Sequence, residues 1–341
     1  MEFDFNSQIL VKVDPFMKMT CRRLKHLFRA VSQGFVWFGV TAFSFAAEVS
    51  HSFLACGEQT YIVDGSGKKI WTYPHATRDG YVLSDGTLIL TLNNSDQHPG
   101  GAVIKITTEG KEALIWKGTQ SEVNSAQPTD SGAYVITEAG PKPRLLEVDS
   151  LGAITNEFPL FCQQGNHHMQ TRMARKLSNG TYIVPHLLDF GIFTYDVDGK
   201  LLSKLDTTVP GDQSHTIHSW PFTAIRHGDG KIGEGQTLVC CTNGNRVIDF
   251  NESGKVVWEL TNADLPGEWL QDPCGGQVLP NGNVVFTSYA AGRKNPQSPK
   301  LVEVNREKQV VWTYSDGQPI GIHHFQILDT NGVKLEGPLR K

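Results

Sequence analysis

The sequence predicts an all-β chain folded as a six-bladed β-propeller with four-stranded blades, residues 48–341 forming one domain. Three observations carry this. A turn flanked by apolar runs recurs at Asp85-Gly86, Ser131-Gly132, Asn179-Gly180, Asp229-Gly230, Asn281-Gly282 and Asn331-Gly332, and its glycines stand 46, 48, 50, 52 and 50 residues apart. A second turn alternates with the first. The order of the two turns at the chain ends is complementary, so the ends can complete one blade.

A steady period near 50 residues marks a repeat architecture. The second turn places a glycine, often followed by Lys, before an apolar strand that often carries Trp. It occurs at Gly67-Lys68 to Trp71, Gly110-Lys111 to Trp116, Gly152, Gly199-Lys200 and Gly254-Lys255 to Trp258, with a sixth copy, Glu307-Lys308 to Trp312, lacking the glycine. Two hairpins per repeat give four strands, and runs such as Val284–Phe286, Leu301–Val304 and Val310–Trp312 have the short β-branched character of strands. A blade buries both faces only against neighbours, and a ring supplies them. Trp71, Trp116, Trp258 and Trp312 are expected to pack between blades. The chain opens on an outer-type hairpin at Gly67 and ends on an inner-type turn at Asn331-Gly332. The closing blade is therefore expected to take inner strands from Phe325–Pro338 and outer strands from about Phe53–Tyr73, leaving no open seam.

Residues 1–47 read as a signal peptide, with 1–16 as an extra upstream stretch and translation starting at Met17 or Met19. Arg22, Arg23, Lys25, His26 and Arg29 are followed by the apolar run Phe35–Phe45 and by the small residues Ala46-Ala47. That is the order of an export signal, and the run is too short to span a bilayer comfortably. An uncleaved anchor and a partial lipobox ending at Cys56 are the alternatives. The chain is thus expected in the periplasm or secreted, without a membrane span after processing. Net charge is −4, from 31 basic and 35 acidic residues, which gives no sign of nucleic-acid binding. Of the cysteines, Cys56, Cys162, Cys240, Cys241 and Cys274 lie beyond the signal, without the paired spacing of a zinc site. Cys240-Cys241 should face opposite sides of a strand.

In a propeller, the residues entering each inner strand converge on one face of the axis. Here they are His75 and Arg78; Asn124 and Gln127; Asn166, His167, His168, Gln170 and Arg172; His215, His218 and Trp220; Asp272 and Cys274; and His323, His324 and Gln326. Leaving out His26, seven of the remaining eleven histidines fall in these entries. His98, His186 and His227 fall outside them and receive no role. The entries predict a His/Arg-rich axial pocket for a small or anionic ligand. Its ligand-binding residues would be His75, Arg78, Asn124, His167, Arg172, His218, Asp272 and His323, with His168 and His324 as catalytic residues. Structural latches between blades are the competing role for any one of these histidines.

Gly254-Lys255-Val256-Val257-Trp258 and Gly67-Lys68-Lys69-Ile70-Trp71 resemble the tryptophan repeat of quinoprotein-like propellers. Leu279-Pro280-Asn281-Gly282-Asn283, with Asp272 before it, resembles repeats of bacterial arylsulfotransferase propellers. The resemblance spans about residues 53–338. Quinoprotein dehydrogenases usually have eight blades and a calcium-bound quinone, so six blades do not imply that cofactor here, and none is assigned. Cys240-Cys241 is similar to the adjacent cysteines of those enzymes, but it follows Thr237-Leu238-Val239 within a strand, and their role is not carried over. Similarity to arylsulfotransferases implies export, axial His and Arg, and sulfuryl transfer through a histidine without a metal. The sequence is read first as an exported binding or scaffold module of the quinoprotein-like class, facing a small ligand or an envelope protein. Two alternatives stay open. One is arylsulfotransferase-like transfer, with His168 or His324 as nucleophile and Arg78 and Arg172 holding the oxyanion. The other is a His-ligated metal enzyme, whose metal the sequence does not identify.

Overall fold

Short runs of β-branched and aromatic residues between tight turns pair in sequence order into antiparallel sheets. The computed structural model describes residues 48–208, 220–228 and 235–341. The expected signal segment, His215, His218 and the turn at Asp229-Gly230 lie outside them. Blade one consists of β4 (Thr77–Val82), β5 (Leu88–Leu92), β6 (Ala102–Ile106) and β7 (Glu112–Lys117). Blade two consists of β8 (Glu122–Pro128), β9 (Tyr134–Ala139), β10 (Arg144–Val148) and β11 (Ile154–Pro159). Blade three follows with β12 (Arg175–Lys176), β13 (Tyr182–His186), β14 (Gly191–Tyr195) and β15 (Leu201–Asp206). Blade four has β16 (Trp220–His227), β17 (Gln236–Thr242), β18 (Arg246–Phe250) and β19 (Val256–Thr261). Blade five has β20 (Gly276–Val278), β21 (Val284–Thr287), β22 (Leu301–Val304) and β23 (Val310–Tyr314). The six blades form a ring, as the repeat predicts.

The sixth blade joins the two ends of the chain, but with a different division of strands. β24 (Ile322–Thr330) pairs with β1 (His51–Gly57), which continues into β2 (Thr60–Val63) and β3 (Lys69–Tyr73). The early chain supplies three strands and the late chain one, rather than two each. Beyond the Asn331-Gly332 turn only β25 (Val333–Lys334) forms, on the opposite edge of β24. Seven-residue β1 pairs along nearly the whole of β24, so it takes the second place in the blade.

Burial follows strand position. β5 and β9 are buried at every residue, whereas outer β15 is exposed at five of six positions. Lysines such as Lys69, Lys117 and Lys204 sit in outer strands, where charge discourages edge pairing between molecules. The tryptophans pack at the seams between blades, as expected: Trp116 against a core cluster shared by blades one and two, Trp258 against one shared by blades four and five. Their indoles also donate across the seam, Trp116 to Glu138 Oε1 at 2.9 Å and Trp258 to the Arg306 carbonyl at 2.9 Å. Cys240 and Cys241 belong to different core clusters, on opposite faces of β17.

The outer turns share one device. Asp64, Asp149, Asp196 and Asn251 each accept, on one side-chain oxygen, the backbone N–H groups two and four residues later. The glycine that follows takes a left-handed conformation, as Gly67 does at φ 82°. In the copy that lacks glycine, Lys308 adopts φ 65° itself.

Candidate functional site at the propeller axis

An inner strand that ran without interruption would alternate its side chains between its two faces. Instead, a bulge leaves Arg78 without a partner in β4, Asn124 in β8, Phe222 in β16 and His323 in β24. A bulge re-aims the extra residue, and these four side chains share one axial site with Arg172, which precedes β12.

Glu122 stands at the centre of the site. Its Oε2 accepts from Arg78 Nη2, and its Oε1 lies 3.1 Å from His168 Nδ1 and 3.9 Å from Arg172 Nη1. Asn124 Oδ1 accepts from both guanidinium groups, at 3.5 Å from Arg78 and 3.4 Å from Arg172. Arg172 is 1% exposed, donates to the Thr171 carbonyl at 2.7 Å, and lies 5.3 Å over the Phe222 ring. The Nε of Arg78 and the Nε of Arg172 are buried without a hydrogen-bond partner. His323 Nδ1 donates to the Arg78 carbonyl at 3.1 Å, and its ring stands edge-on to Phe222 and Tyr289.

The electrostatics follow from crowding two cations and one carboxylate. Burial alone would raise the Glu122 carboxyl, but the His168 hydrogen bond and the Arg78 and Arg172 charges bring it down to about 2. Burial and the neighbouring arginines push His323 down to about 3, so it is neutral. Arg172 is lowered by burial and by the Arg78 charge, yet a guanidinium stays protonated near neutral pH. The Arg–Glu–Arg set therefore carries a net positive charge.

One layer deeper, a second cluster fills the channel. Asp79 pairs with Arg175 Nη1 at 3.0 Å and with Lys341 Nζ at 3.3 Å. The segment after β25 runs up into the channel: the Arg340 carbonyl accepts from Val278 N–H, and the Lys341 carbonyl from Arg175 Nε. Lys341 Nζ also donates to the Gly80 carbonyl at 2.6 Å and lies 4.0 Å over the Tyr81 ring. Burial lowers its pKa to about 8, against the pull of Asp79.

The expected residues thus separate into groups. Arg78, Asn124, His168, Arg172 and His323 meet at the axis. His167 is beside them, its Nδ1 2.9 Å from Ser121 Oγ. His324 belongs to the deeper layer: it is fully buried, with Nδ1 3.3 Å from Lys341 Nζ and 3.6 Å from Asp79. His75 is exposed and packs on Tyr73. Asp272 is a latch between blades four and five, its carboxylate accepting from Asn243 N–H at 2.9 Å and its own N–H donating to Asn245. Gln127 and Gln326 are latches as well, each bonding both backbone groups of a residue in the next blade, Lys176 and Val82. Sequence reasoning missed Glu122, Asp79, Phe222 and Arg175. Glu122 and Asp79 stand within two residues of Asn124 and Arg78, so a wider window at each strand entry would have found them.

No protein-family model matches the chain, and no curated protein sequence matches it. Solved structures do. A protein of unknown function from Bacteroides caccae is similar at a TM-score of 0.64 and 20% identity, over 81% of this chain and 98% of that one. A catalytically inactive virginiamycin B lyase from Staphylococcus aureus, solved with quinupristin, is similar at 0.52 and 14% identity, over 78% and 84%. A functionally unknown protein from Desulfotomaculum acetoxidans is similar at 0.50 and 13%, over 84% and 95%. The class these likenesses define is the β-propeller. No helix among the described residues is long and apolar enough to cross a membrane.

Proposed function

We propose that the axial site binds a small anionic molecule, one carrying a carboxylate, sulfate or phosphate group, in an exported propeller. The observation that carries this is the pair Arg78–Arg172. Two buried guanidinium groups converge on one carboxylate, and each keeps an Nε–H without a partner. Unmade bonds on buried charged groups are costly, and an anion entering from the open face satisfies them. Glu122 acts as the resident counter-ion.

A specific observation favours acid–base chemistry on the bound molecule. Glu122 holds His168 through Nδ1, while the side chain is 57% exposed. A carboxylate that orients an imidazole is the usual arrangement of a general base. One of the similar structures is a lyase by name, and elimination begins with proton removal. His324, sealed beneath the site, is poorly placed as a nucleophile, so His168 is the residue for any transfer reaction.

The test is calorimetric titration with sulfate, phosphate and acetate. Arg172→Gln should weaken anion binding by about 10-fold or more, the worth of a bond to a charged group. Glu122→Gln should tighten it, because it removes the competing carboxylate. Failure of all three anions to bind, with Arg172→Gln still folded, would overturn the reading. Export is checked separately: N-terminal sequencing of envelope material should start near Ala47.

A further inference from the structure

Away from the axis, between blades two and three, three donor atoms meet that the axial site does not use. Cys162 lies in the loop after β11, His186 ends β13, and Asp189 follows three residues on. Cys162 Sγ is 3.4 Å from His186 Nδ1, and Asp189 Oδ2 is 3.4 Å from the same nitrogen. All three donor atoms lie within 4.8 Å of one another.

An imidazole nitrogen has one in-plane lone pair or one N–H, and it cannot serve a thiol and a carboxylate head-on together. A cation on that lone pair serves both. Zinc bonds of about 2.3 Å to sulfur and about 2.0–2.1 Å to nitrogen or oxygen, in a tetrahedron, hold donors about 3.3–3.6 Å apart. The two measured separations fall there. A nucleophilic cysteine relay is a poorer fit, because it needs thiol and carboxylate on opposite ring nitrogens. Here the other nitrogen, Nε2, is 3.2 Å from Tyr195 OH, the outer-shell partner that fixes a metal-bound ring. The ring also stacks on Phe193 at 4.1 Å.

We infer that Cys162 Sγ, His186 Nδ1 and Asp189 Oδ2 bind one zinc ion, whose fourth position opens to a cleft for a metal-coordinating ligand. The cleft is about 1190 Å³, and Cys162 and Asp189 both line it, with Phe158, Phe161, Pro143 and Arg144 among its walls. Three protein donors and an open position are the pattern of an exchangeable site, not of a closed structural one. The thiolate selects zinc over magnesium, calcium or manganese.

The experiment uses the full chain, stripped with chelator and dialysed. Zinc is titrated by calorimetry and cobalt(II) by absorption. One ion should bind per chain, and the cobalt form should show a thiolate-to-metal charge-transfer band. Cys162→Ser should abolish the band and weaken zinc binding by about 100-fold. Asp189→Asn and Tyr195→Phe should each weaken it by about 10-fold or more. Glu122→Gln should leave it unchanged, which separates this site from the axial one. Melting curves in chelator confirm that each variant is folded. The assignment is overturned if the folded chain takes up no stoichiometric zinc, if the cobalt form lacks the band, or if zinc affinity survives both Cys162→Ser and Asp189→Asn.

Discussion

His323 and His324 are adjacent, yet they serve different layers: His323 faces Arg78, Phe222 and Tyr289, and His324 faces Asp79 and Lys341. Both are held neutral. Burial and the arginines bring His323 to about 3, and burial with Lys341 brings His324 well below its ordinary value. The unfolded chain protonates both below about pH 6.5. Stability is therefore full above that pH and is lost as pH falls toward the folded values, by up to about 1.4 kcal/mol per pH unit for each group. Glu122, lowered to about 2, adds its own loss only below about pH 4.5. The melting temperature should fall between pH 7 and 5, with buried His186, also lowered by burial, adding to the slope, and His323→Phe should remove about a third of it; a flat profile for the parent chain would contradict the neutral assignment. The sequence made Arg78, Asn124, Arg172 and His323 legible because each stands at a strand entry. It could not tell which of two adjacent histidines reaches the open layer, because strand alternation alone does not reveal a bulge.

The bulges repeat as the turns do. Four inner strands carry one at the level of the site, so the axial cluster is an outcome of the repeat rather than an insertion into it. Turn chemistry was the most readable part of the chain, since Asx residues and glycine at fixed offsets have a local cause. Gly67 tests it cleanly: its φ is 82° and a Cβ there would meet nothing within 4 Å. Gly67→Ala should cost about 1 kcal/mol from backbone conformation alone, read as a shift in the denaturation midpoint with unchanged m-value. A loss above about 3 kcal/mol would mean that packing, not conformation, decides the position. The cluster of Cys162, His186 and Asp189 was not readable, because its members come from a loop, a strand end and a turn whose spacing obeys no ligand motif.

At the scale of the molecule, the ring closes by three strands from one end and one from the other. Removing His51–Tyr73 leaves β24 with only the two-residue β25 beside it and bares the core around Phe325. Removing residues 1–47 leaves every strand pairing among the described residues in place. The first truncation should abolish a cooperative melting transition and the second should leave the melting temperature within about 2 °C; equal behaviour of the two would sink the closure. The six-blade count was legible because the turn signals are complementary at the ends, whereas the three-to-one split depends on the length of the β1–β24 pairing. That pairing also sets a clock. Ser52 and Asp329 are bonded across 277 positions of sequence, and a ribosome adding roughly 5–20 residues per second needs on the order of a quarter of a minute to a minute to cover them. For that interval Phe53, Leu54 and Ala55, fully buried in the finished ring, lie on a strand that has β2 on one edge but not yet β24 on the other, and the nascent chain must be kept from pairing that open edge with anything else.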